Sequence, residues 1–213
     1  MDESAETGSE LHTRGYEVCK GAIPLDASIV DAIKAANYDE KGLPSGPHPD
    51  APRDPRRQQT LDATGTSHWI QEVRARKTAY LRERGHLQCS TGEKVVKKMH
   101  GIRSLATPGY DEENLDPQDG DQDEHADEPI DHLTAYMDGR SDEDMPFSTI
   151  LAIMPGTRLR IRPFGGEWTI VRLEPGDLLI FRGDVCHNGL GYANENVRVH
   201  AYVYPPDYKP GAS

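Results

Sequence analysis

His125-Ala126-Asp127 and His187 are the residues whose types and spacing could do chemistry in this 213-residue chain. On a strand, residues two apart project to one face, so a His-x-Asp pair can present an imidazole and a carboxylate to one metal ion. Sixty-two residues later, His187 ends the phrase Gly176-Asp177-Leu178-Leu179-Ile180-Phe181-Arg182-Gly183-Asp184-Val185-Cys186-His187 and offers a second imidazole. Two imidazoles and one carboxylate leave open positions on a redox-active iron, enough for a bidentate oxo-acid and O2. Arg198 follows His187 by eleven residues, and its guanidinium could clamp the far carboxylate of such an acid. Each piece alone is weak. The chain has nine His and 36 acids, and His48-Pro49-Asp50 repeats the His-x-acid pattern inside a proline-rich loop, where it reads as surface. A lone His187 reads equally well as a hairpin-end histidine satisfied by backbone carbonyls.

These residues need a scaffold, and the C-terminal third supplies strand signals for one. Ser148–Met154 is a buried-type strand, Pro155-Gly156 a turn, and Arg158–Arg162 alternates basic with apolar. Gly165-Gly166 marks a hairpin, Trp168–Leu173 and Leu178–Phe181 are further strands, and the backbone is expected to turn at His187-Asn188-Gly189. On the last strand, Val197–Tyr204, the valines share one face while Arg198, His200 and Tyr202 share the other. A buried face of that kind implies a polar interior site; the alternative is a one-sided sheet with this face in water.

The first half reads as more helical. Residues 1–12 look like a disordered acidic tail. A short strand over Arg14–Ile23 ends at Pro24, and Asp26 caps a helix to about Asn37. Five prolines between 43 and 57 mark an extended loop. A second helix starts at Thr66 or Ser67 and stops at Gly85, and Ser90 with Glu93 reads as a capping box for a third that ends near Gly101. Residues 105–124 form a long Pro-, Gly- and Asp-rich loop. Together these predict a mainly β domain with flanking helices (α+β): residues 13–208, helical over about 26–101, with a jelly-roll core at about 122–204 and the N-terminal helices packed outside.

Composition sets limits. No run approaches the roughly 18 apolar residues of a membrane helix, and the acidic N-terminus lacks a secretory pattern. Three scattered cysteines argue against a disulfide framework and for a cytoplasmic or other reducing compartment. The net charge of −12 disfavours general nucleic-acid affinity. The charge is segregated: residues 51–103 carry +7 and residues 111–145 carry −14. The basic segment leaves a nucleotide-like partner open, and the acidic one a cationic peptide. Either run is also an ordinary solvated surface.

Gln122-Asp123-Glu124-His125-Ala126-Asp127, Gly176-Asp177-Leu178-Leu179-Ile180-Phe181 and His187 with Arg198 resemble the core of the Fe(II)/2-oxoglutarate-dependent dioxygenases. The nearest branches are the phytanoyl-CoA dioxygenase-like and prolyl-hydroxylase-like ones. The resemblance implies a double-stranded β-helix and Fe(II), with 2-oxoglutarate and O2 as cosubstrates. It also implies His125, Asp127 and His187 as metal ligands and Arg198 as the 2-oxoglutarate anchor. Tyr136, expected on the next strand, with Ser148 and His200, are candidate helpers for the oxo-acid. The sequence departs from the family in its acidic surround, Glu124, Glu128 and Asp131, where aromatics are common. The product would be a hydroxylated or otherwise oxidised substrate, small, nucleotide-like or peptidyl, with succinate and CO2. Two other readings stand beside it: a non-redox, cupin-like metal-binding jelly roll, and an interaction module built on the segregated charges.

Overall fold

A computed structural model describes residues 7–44, 53–61, 67–114 and 116–210; the His48-x-Asp50 pair lies outside them. In chain order the elements are α1 (Thr7–Arg14), β1 (Tyr16–Cys19), α2 (Ala27–Lys34), β2 (Leu43–Pro44), β3 (Arg53–Asp54), β4 (Arg57–Gln59) and α3 (His68–Glu83). They continue as β5 (Gln88–Cys89), β6 (Gly92–Glu93), β7 (Val95–Ser104), α4 (Ile130–Met137), a 3₁₀ turn (Asp142–Asp144), β8 (Phe147–Ala152) and β9 (Thr157–Ile161). The last four strands are β10 (Thr169–Leu173), β11 (Leu178–Arg182), β12 (His187–Gly189) and β13 (Asn196–Tyr204).

A six-stranded antiparallel sheet has the order β1-β11-β8-β13-β7-β4, and a three-stranded sheet has the order β10-β9-β12. Alternation along the strands divides the core in two. Leu178, Ile180, Val197, Val199, Ala201 and Val203 face one way, against Ile29 and Ile33 of α2 and Trp69, Ile70 and Val73 of α3. Leu179, Phe181, Ile150 and Ala152 face the other way and meet Leu159, Ile161, Val171 and Leu173 of the small sheet. The polar face of β13 is therefore enclosed: Arg198 and His200 are buried.

The two major helices form for the reasons their sequences suggest. The Asp26 carboxylate accepts the Ile29 N–H at 3.0 Å and caps α2. Gly85, at φ +77°, ends α3: its N–H returns to Arg82 O and that of His86 to Leu81 O, the paired bonds of a Schellman stop.

Elsewhere the structure corrects the reading. The helix expected from Ser90 to Gly101 is strand β7. Ser90 spends its N–H and hydroxyl on the Asp144 carboxylate, and Glu93 pairs with Arg82 at 2.6 Å, so neither closes a capping box. With those caps diverted, Val95 to Ser104 ladders against β13. The helical region over 26–101 thus reduces to α2 and α3. Residues 7–14 are helical where a disordered tail to residue 12 was expected; residues 1–6 lie outside the description. His187–Gly189, expected as a turn, is strand β12. Residues 125–127 form no strand: only His125 bridges, to His187. Tyr136, expected on a strand, lies on α4.

Candidate metal centre

His125 and His187 reach each other through their backbones. The His125 N–H donates to His187 O at 2.9 Å and the His187 N–H to His125 O at 2.8 Å. Residues directly opposite in an antiparallel pair put their side chains on one face, and the two ring centroids stand 4.6 Å apart. Each ring is oriented from behind. Nδ1 of His125 lies 2.7 Å from Asp123 O, and Nδ1 of His187 lies 3.0 Å from Val185 O. A carbonyl only accepts, so Nδ1 carries the proton in both rings and Nε2 is the ring nitrogen left to face the group.

Asp127 completes the group. Its Oδ1 is 3.7 Å from His187 Nε2, and one ligand atom from each of His125, Asp127 and His187 lies within 4.8 Å of the others. Asp127 Oδ2 is buried with no hydrogen bond; His200 Nε2 stands 3.6 Å away. Burial alone would raise the Asp127 carboxyl, but His187, His200 and Ser148 outweigh it and hold the group below the usual carboxylate range. Burial pushes His187 down to about 4, so its imidazole is neutral near pH 7. A neutral His187 imidazole, a second imidazole from His125, an ionised carboxylate and an orphaned buried oxygen are a donor set that fits a divalent transition metal.

The group sits in a cavity of about 590 Å³ between the two sheets. Ile150, Leu159 and Phe181 form apolar wall, and Arg198, His200 and Tyr202 line it in sequence along β13. Arg198 is only 2% exposed. Its Nη1 donates to Ser104 Oγ at 2.9 Å, and it has no carboxylate partner among the described residues. Arg198 is thus a buried guanidinium with no anionic partner among the described residues, in the same cavity as His125, Asp127 and His187.

The other candidates separate clearly. His200 lines the cavity beside Asp127. Ser148 is buried next to Asp127 and contributes to its ionisation, a supporting place behind the carboxylate. Tyr136 is directed away: its hydroxyl donates to Asp207 at 3.1 Å and its ring packs on Tyr208.

Four further residues stand at this site with no role expected of them from the sequence. His100 faces His200 across the β7–β13 ladder, ring centroids 5.7 Å apart, and burial, aided by the neighbouring His200, pushes it down to about 3. Gln122 accepts the Gly189 N–H, and a Cβ on Gly189 would lie 2.4 Å from its Oε1 and 3.5 Å from Arg198 Nη2, so a side chain there would crowd the cavity's end. Ser104 holds Arg198. Arg57, also 2% exposed, donates to Gly120 O, Gly189 O and Leu190 O at 2.8, 3.0 and 3.3 Å. The pairing of β4 and β7 beside β13 reveals His100, Ser104 and Arg57, and the bond from Gly189 reveals Gln122; the Arg198-x-His200 pattern on β13 could have suggested a partner across the ladder, but not its identity.

No family model and no curated protein matches the chain. Solved structures do. A Burkholderia pseudomallei oxidoreductase of the 2OG-Fe(II) oxygenase family aligns with a TM-score of 0.62 at 15% identity, over 95% of this chain and 91% of that one. The epimerase SnoN, in complex with Fe3+, alpha ketoglutarate and nogalamycin RO, aligns at 0.61 and 13% over 99% and 91%. A Pseudomonas putida prolyl-4-hydroxylase aligns at 0.56 and 14% over 95% and 99%. By these alignments, the chain has the fold of the Fe(II)/2-oxoglutarate oxygenases along nearly its whole length.

Proposed function

We propose that this protein is an Fe(II)- and 2-oxoglutarate-dependent dioxygenase, with a jelly-roll core inside one catalytic unit spanning residues 13–208. The observation that carries the reading is the meeting, in one cavity, of His125, Asp127 and His187 with an Arg198 that has no anionic partner among the described residues. The Nε2 atoms of both histidines and the Asp127 carboxylate would hold the iron. The iron supplies O2 activation coupled to oxidation of 2-oxoglutarate, with succinate and CO2 as coproducts.

The chain's own residues bind, orient and shield. Arg198 takes the distal carboxylate of the oxo-acid as a charge-assisted pair, with Ser104 fixing the guanidinium. Asp123 O and Val185 O aim the two rings. His200 stands against Asp127 Oδ2 and limits the carboxylate's rotation. Ile150, Leu159 and Phe181 keep water from the reacting centre. The substrate is a small molecule or a peptidyl side chain: SnoN was solved with nogalamycin RO, and a Trichoplax adhaerens prolyl hydroxylase with a peptide fragment. The 590 Å³ cavity admits either as a whole small ligand or as one inserted residue.

The test is 2-oxoglutarate turnover to succinate by the Fe(II)-loaded protein, with calorimetric binding of 2-oxoglutarate alongside. Turnover is expected in the native protein and none in His187→Ala. Arg198→Ala should weaken 2-oxoglutarate binding about 100-fold, the loss of one buried ion pair. A protein that takes up metal but binds no 2-oxoglutarate is instead a non-redox metal jelly roll.

A further inference from the structure

A second cavity, of about 170 Å³, opens beside the end of α3, between α1 and the 3₁₀ turn, and shares no lining residue with the metal cavity. Phe147 is its floor. The Lys94 ammonium stands 5.0 Å from the centre of that ring, and the His86 ring meets it edge-on at 6.5 Å. Lys94 is 6% exposed, and its ammonium has neither a hydrogen bond nor an ion pair among the described residues. His86 is 9% exposed, and its buried Nε2 likewise makes no hydrogen bond, the nearest carboxylate oxygen being Glu17 Oε2 at 3.5 Å.

Among the acids around this cavity, none bonds the Lys94 ammonium, although Asp144 and Glu143 act on it through space. Asp142 is shared by Arg182 and His12, at 3.4 and 3.9 Å, and Asp144 receives the Ser90 N–H and hydroxyl. Glu143 is exposed. The Arg84 guanidinium, on the rim, bonds only the Tyr80 hydroxyl among the described residues, at 3.4 Å. The chain's other deeply buried lysine differs: Lys77 donates to Thr149 Oγ1 at 2.9 Å and lines neither cavity. An ammonium that Asp144 and Glu143 offset only through space, with no bonded anion and open space beside it, favours the entry of an anionic group. Burial pushes Lys94 down to about 8, which still leaves it mostly protonated at pH 7.

We propose that this cavity is a binding site for a small oxyanion, a phosphate or carboxylate group, held by Lys94 with His86 and Arg84 as further donors. The volume takes one such group and little more. The assignment is independent of the chemistry at the metal centre.

The experiment titrates the full-length protein with inorganic phosphate and, separately, with acetate, ionic strength being held constant with chloride. It follows the thermal midpoint and the ring proton resonances of His86. One of the two anions should raise the midpoint saturably, by about 3 °C at ten times its dissociation constant. The His86 resonances should move over the same concentrations. Lys94→Met should abolish both responses and Arg198→Ala should leave both. If Lys94→Met does not fold, Lys94→Gln takes its place, and the His86 shift in the native protein decides. Neither anion exceeding chloride, or a response that survives loss of Lys94, overturns the proposal. So does a response lost with Arg198, which puts the anion in the metal cavity.

Discussion

His125, Asp127, His187 and Arg198 are legible in the sequence because their chemistry is rare in combination and the chain order is informative. What the residues alone do not carry is the rear support: Asp123 O and Val185 O behind the rings, and Ser104 behind Arg198. Lys77 is a different case, since only the structure puts it wholly under the large sheet. Burial pushes its ammonium down to about 7 from the usual 10.5. For a base lowered in the folded state, stability is full above the unfolded value and is lost as pH falls through the folded one. The window is therefore pH 10.5 down to 7. Lys77→Met should be more stable than the native protein at pH 7 by about 2 kcal/mol, a discounted conversion of the shift. The gain should shrink as pH rises toward 10, measured by urea unfolding. A native protein as stable as the variant at pH 7 would mean the ammonium is better solvated than its burial implies.

Among the elements, β13 is the most legible, because strict alternation of valines with Arg198, His200 and Tyr202 survives burial on both faces. β7 is the least. Its local capping signature is real in sequence, yet Asp144 and Arg82 take Ser90 and Glu93 through tertiary contacts, and the strand follows. The acidic 105–124 loop was expected to lack regular structure, and its attachment is a tertiary matter too. Arg57 from β4 ties Gly120 of that loop to Gly189 and Leu190 at the end of β12, and Arg56 pairs with Asp119 at 2.8 Å. One basic residue thus meets the acidic run directly, and a buried one holds it by carbonyls. Arg57→Met should cost about 3 kcal/mol by leaving three carbonyls without their donor. Under the proposed function it should also raise the KM for 2-oxoglutarate roughly tenfold with kcat changed less than twofold, because Gly189 backs Arg198. Steady-state kinetics with Arg57→Lys as partial rescue checks this; an unchanged KM confines Arg57 to a purely structural part.

Across the whole molecule, burial of neutral histidines couples stability to acid. Burial, with nearby cations, pushes His86 down to about 4 and, with His200, pushes His100 down to about 3, from the usual 6.5. Their contribution is complete above pH 6.5 and is lost as pH falls toward those folded values. Thermal midpoints should therefore drop steeply between pH 6.5 and 4, and His100→Gln should drop less. An equal drop in that variant would assign the acid lability to other groups. No described helix is long and apolar enough to cross a membrane, and Cys19, Cys89 and Cys186 are all free. The sequence by itself determined the residues able to meet a metal, the strand-rich C-terminal third, the two-faced last strand and the segregation of charge. These are properties of residue type, order and period-two patterning, which are local. Tertiary structure alone decided that His125 bridges to β12 while residues 125–127 form no strand, that Tyr136 turns away on α4, that His100 and Arg57 close in behind the cavity, and that Lys94 is buried with no hydrogen bond or ion pair among the described residues. Each of those depends on which distant segment fills a hydrogen-bonding or packing vacancy, and such long-range pairing leaves no periodic trace in the chain.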